Sequence, residues 1–76
     1  MSSPVSKGAY ICAQIEALEE VLPGAGLRRL HDKVVYTAPE MLDTLWLEVY
    51  AVLMAHPVVP EARDIWNAAC RGMPAR

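Results

Sequence analysis

Proline placement constrains this chain more than any other feature. Prolines stand at positions 4, 23, 39, 57, 60 and 74, and each falls where a stretch of helical periodicity starts or stops. A proline in the first helical turn gives up an N–H that has no intrahelical acceptor anyway. The residue before a proline avoids the helical region. The chain is therefore cut into short helices joined by short connections.

The apolar spacing between these breaks supports that division. Ile11, Ile15, Leu18 and Leu22 repeat at the interval of one helical face. They predict a first helix from Pro4 or Lys7 to Leu22, capped by Ser3 or Ser6 and ended by Pro23. The Pro23-Gly24-Ala25-Gly26 segment reads as a tight turn. A short second helix over 25–33 follows, with Leu27, Leu30 and Val34 on one side. Val34-Val35-Tyr36 is β-branched and aromatic, which predicts an extended finish. No second strand is available to pair with it, so no sheet is expected. Thr37-Ala38-Pro39-Glu40 has the form of a capping box, with Tyr36 and Met41 placed for a hydrophobic staple. It predicts a third helix over 38–55, closed by His56-Pro57. A fourth begins at Pro60, turns Ala62, Ile65, Trp66, Ala69 and Met73 inward, and stops near Gly72 and Pro74. The expected fold is all-α: one domain over 1–76, a compact bundle of four helices with the 38–55 helix central. Residues 1–6 and 74–76 are expected as flexible tails.

Composition excludes several functional classes. The 76 residues are 54% apolar and 21% charged, with net charge −2. That is too apolar for a disordered chain and too acidic for a basic nucleic-acid arm. Two cysteines do not make a disulfide scaffold. No signal-peptide core precedes the first helix, and the apolar run from Leu45 to Ala55 falls short of the roughly 20 residues that cross a membrane. A cytoplasmic location is expected, with no membrane partner. A chain this short buries only about 60% of its unfolded surface, so dense helix packing, self-association or both must stabilise it.

Catalytic chemistry has little support. No phosphate loop, dinucleotide fingerprint or nucleophile elbow occurs. Cys12 lies near Glu16 and Glu19, which would raise rather than lower a thiol pKa. Cys12, His31, His56 and Cys70 are spaced 19, 25 and 14 residues apart, without the close ligand pairs of a zinc site. Both cysteines read as free buried thiols. The expectation is a non-enzyme with no metal, no cofactor and no small-molecule substrate.

Two binding readings remain. Arg28 and Arg29 open the second helix, where they could touch phosphates as in a small DNA-binding regulator. Against that, Glu16, Glu19 and Glu20 precede them and offer the arginines carboxylates within the chain, so nucleic acid is the alternative reading.

The third helix points elsewhere. With Leu42 set at 0°, Leu45, Trp46, Val49 and Leu53 gather within roughly 60° of it and form a core stripe. Leu47, Tyr50 and Met54 fall at roughly 80–140°, a second apolar stripe beside the first. Such a helix is either central to its own bundle or half-covered by another chain. Leu47, Tyr50 and Met54 recur at i, i+3 and i+7, the spacing of anchors on a docking helix. Glu48 and Asp43 are read as flanking acids that would steer a basic partner. In size and composition the chain resembles the small accessory proteins of phages and mobile elements. That likeness implies regulation or inhibition of another protein, in a host cytoplasm. A homodimer through the same helix is also expected.

Overall fold

The computed structural model describes residues 6–56 and 59–74. Among them the chain forms four α-helices and no strand, a small all-α bundle. The helices are α1 (Lys7–Val21), α2 (Leu27–Lys33), α3 (Leu42–Met54) and α4 (Pro60–Gly72).

Ser6 begins α1. Its backbone is extended, and its hydroxyl accepts the Ala9 N–H at 3.2 Å, satisfying one of the free donors of the first turn. The other proposed start, at Ser3-Pro4, lies outside the described residues, as do 1–5 and 75–76 of the expected tails. Pro23 follows the last turn, where the Leu22 N–H still reaches the Leu18 carbonyl. Gly24 and Gly26 take φ of 79° and 89°, a left-handed backbone that side-chain-bearing residues avoid. These two glycines reverse the chain and lay α2 against α1. Because Gly26 is the left-handed cap, α2 starts at Leu27, two residues after the predicted start.

The expected extended stretch at Val34–Tyr36 is a 3₁₀ turn instead. With no partner strand to supply ladder hydrogen bonds, its backbone closes on itself: the Thr37 N–H donates to the Val34 carbonyl at 3.1 Å. This local closure also overturns the capping box. The Thr37 hydroxyl donates backward to the Lys33 carbonyl at 2.7 Å and leaves the Glu40 amide alone. Pro39–Met41 form a second 3₁₀ turn with no side-chain cap, and α3 starts only at Leu42. The staple does not form either, since Tyr36 is 88% exposed and Met41 50%.

The core follows the apolar spacing closely. Ile11, Ile15, Leu18 and Leu22 of the first segment meet Leu27, Leu30 and Val34, then Leu42, Leu45, Trp46, Val49 and Leu53, and finally Ala62, Trp66 and Ala69. Ile65 of α4 and Met73 just beyond its end, both expected inside, are half-buried at the core's margin. Trp46 and Trp66 are 7% and 9% exposed, and their rings stack at 4.2 Å between centroids, 11° from parallel. That stack joins α3 to α4. One turn further along α4, the Tyr10 hydroxyl donates to the Ala69 carbonyl at 2.8 Å and ties α4 to α1.

Candidate partner-binding surface

Helix α3 packs against α1, α2 and α4, using the narrow stripe of Leu42, Leu45, Trp46, Val49 and Leu53. Three neighbours on one wedge leave the adjoining face open. Leu47, Tyr50 and Met54 are 63%, 38% and 42% exposed. Their backs are held. The Tyr50 ring leans on Trp66, centroids 5.1 Å apart and 41° from parallel. The Met54 sulfur accepts from Arg63 Nη2 at 3.2 Å. Leu47 has no such support among the described residues and projects furthest. Apolar groups are thus presented on a rigid helix whose other side is core.

The two acids part company. At about 100° around α3 from Leu42, Asp43 lies within the open stripe at its N-terminal end. Its carboxylate bonds the Lys7 ammonium, yet its side chain stays 78% exposed. Glu48 falls at about 240°, on the opposite flank of the helix. There Lys33 Nζ approaches its carboxylate oxygens at 3.3 and 3.4 Å. Glu48 therefore does not border Leu47, Tyr50 and Met54, and the reading of it as a steering acid for that stripe is corrected. It lines a shallow groove of about 240 Å³ with Lys33, Tyr36, Met41 and Thr44. Val35, 76% exposed, and Tyr36 are apolar surface that the sequence reading missed. The signal was present: three consecutive bulky residues in a tight turn cannot all face one core, and Val34 alone does.

The arginines of the alternative reading are both exposed. Arg28 Nη1 lies 3.7 Å from Glu19 Oε1, so a carboxylate of α1 already attends it. The four candidate zinc ligands take separate partners. Cys12 Sγ faces the His31 backbone carbonyl at 4.0 Å, not the ring. His31 Nε2 lies 2.9 Å from Glu16. His56 Nδ1 donates to the Val52 carbonyl at 3.1 Å. Cys70 accepts the Trp46 indole N–H at 3.5 Å. Among the described residues no three potential ligands gather. The reading of both thiols as buried is also corrected: Cys12 is half-buried and Cys70 exposed, because Cys70 sits on the flank of α4 beside the tryptophan stack. Burial pushes the Cys12 thiol up, with Glu16 and Asp32 adding to it. A thiol in that setting holds its proton at neutral pH and is a poor nucleophile. No helix among the described residues is long and apolar enough to cross a membrane.

Comparison of the chain with protein-family models, with curated proteins and with solved structures finds no match.

Proposed function

We propose that this protein is a non-enzymatic helical interaction module that binds another protein through the open face of α3 and regulates or inhibits it by occupying its surface. The carrying observation is the exposure of Leu47, Tyr50 and Met54 side by side on a helix that buries Leu42, Leu45, Trp46, Val49 and Leu53. Singly exposed apolar residues are ordinary; a contiguous row on one rigid helix is characteristic of contact sites. Fully covering a large apolar side chain contributes about 1.5–3 kcal/mol. The residue types suit the task, since Tyr presents a stiff amphipathic ring and Met adapts to varied surfaces. This mode of action fits the phage or mobile-element accessory type that the composition resembles.

Leu47→Glu tests the reading. The tagged wild-type chain should retain a specific partner from cells in which it is native, with retention little changed by raised salt. Leu47→Glu should lose that partner while its circular dichroism remains helical. Equal capture by both chains would remove the α3 face from the site. Retention of nucleic acid that falls steeply with salt would favour Arg28 and Arg29 instead.

A further inference from the structure

The open face of α3 is chemically polar along its length. At its N-terminal end stands Asp43, whose side chain is 78% exposed even while it meets Lys7. Leu47, Tyr50 and Met54 follow. At its C-terminal end stands Arg63, contributed by α4, whose Nη2 rests against the Met54 sulfur at 3.2 Å. Among the described residues Arg63 meets no carboxylate within 4.0 Å: its acceptor is a thioether, and its Nε finds none. A thioether is a weak acceptor, and a guanidinium is built to take a carboxylate on its fork. The surface therefore runs acid, apolar, base.

A row of that order is complementary to itself when turned end for end. We propose that the occupant of this face is a second copy of the chain, docked antiparallel across a two-fold axis near Tyr50 and Ala51. The inference rests on the reading of the α3 face as a binding surface, and a target protein docking there would displace the second copy. Leu47 and Met54 are about 10.5 Å apart along the helix at 1.5 Å per residue. Their midpoint falls between positions 50 and 51. The two-fold thus sets Leu47 on the second copy's Met54 and brings the two Tyr50 rings side by side across the axis, each level with the other copy's Ala51. Asp43 reaches past the end of the other α3, where Arg63 lies over Met54. Each interface residue then occurs twice, as a two-fold contact requires. The two Asp43–Arg63 pairs fix the antiparallel sense, since the parallel arrangement sets like charges together.

Charge reversal tests this with the full chain. Sedimentation equilibrium of the wild type at tens of micromolar and above should give about twice 8.4 kDa. Asp43→Arg and Arg63→Glu, each alone, should weaken the dimer about tenfold or more, because each places like charges at both ends. An equimolar mixture of the two should recover it, since both ends of the mixed dimer then carry opposite charges. Melting curves establish that each variant is folded; should either fail, Asp43→Asn and Arg63→Gln replace them, each weakening the dimer alone and recovering part of it when mixed, because the mixed dimer keeps one Asp43–Arg63 pair. A monomeric wild type at millimolar concentration, a dimer indifferent to both reversals, or a mixture without recovery overturns the proposal. If the wild type is monomeric while Leu47→Glu still loses a foreign partner, the two-fold pairing fails and the broader reading stands. If Leu47→Glu changes neither self-association nor capture, both fail.

Discussion

The contact between Tyr10 and Gly72 shows how one hydrogen atom's worth of space is used. Tyr10 donates to the Ala69 carbonyl, and a Cβ built at Gly72 would stand 2.8 Å from that hydroxyl and 3.7 Å from the ring carbon bearing it. Gly72 closes α4, where alanine would otherwise be favoured by up to about 1 kcal/mol. The clash is with the hydroxyl, not the ring. Gly72→Ala should therefore destabilise the wild type but be neutral or stabilising in a Tyr10→Phe background. Tyr10→Phe alone should cost about 1 kcal/mol for the lost hydrogen bond. Denaturant unfolding of the four chains of this cycle checks it; an equal effect of Gly72→Ala in both backgrounds would place the obstacle elsewhere.

At the scale of the element, α3 carries two apolar stripes with different work. Leu45 and Trp46 are 2% and 7% exposed, whereas Leu47 is 63% exposed. Trp46→Ala removes one half of the stacked pair with Trp66 and should cost about 3–5 kcal/mol. That is close to the whole stability of a domain this small. Leu45→Ala should cost about 2–5 kcal/mol. Leu47→Ala should shift the folding free energy of the monomer by under about 0.5 kcal/mol. Thermal unfolding followed by circular dichroism at low protein concentration separates the three. A Leu47→Ala chain as unstable as Leu45→Ala would mean that the second stripe is folded into the core.

For the molecule as a whole, the bundle solves its size problem incompletely. No polar or charged residue is buried as a whole among the described ones, although Arg63 Nε and His31 Nδ1 are shielded from solvent without a hydrogen-bond partner. Yet among the described residues six large apolar side chains, Val35, Tyr36, Met41, Leu47, Tyr50 and Met54, remain exposed. A chain of this length has little surplus stability to spare for such exposure. Covering the α3 face with a second copy links stability to concentration, because only the folded chain associates. The melting temperature of the wild type should rise with protein concentration from micromolar to millimolar. That of Leu47→Glu should stay flat. A concentration-independent wild type would show that the monomer holds its fold without this contact.

Much of this protein is dictated by sequence. Helix number, the breaks at Pro23, Pro39 and Pro60, and the inward faces built on Ile11, Leu27, Val49 and Trp66 all follow from local rules. Proline geometry and a 3.6-residue period act within a few residues, so they are legible without a fold. The tertiary structure decided what depends on neighbours distant in sequence. The Thr37 hydroxyl had two carbonyl-or-amide choices, and the closing of Val34–Tyr36 into a tight turn gave it to Lys33. The period alone puts Glu48 at about 240°, away from the second stripe; only the tertiary structure shows that α2 brings Lys33 to meet it there. Which apolar stripe of α3 faces inward was equally open to periodicity alone, because both stripes satisfy it. Three helices converging on Leu42, Val49 and Leu53 settled it and left Leu47, Tyr50 and Met54 in solvent. Periodicity specifies that a face is apolar; only the count of helices available to cover it specifies whether that face is core or surface.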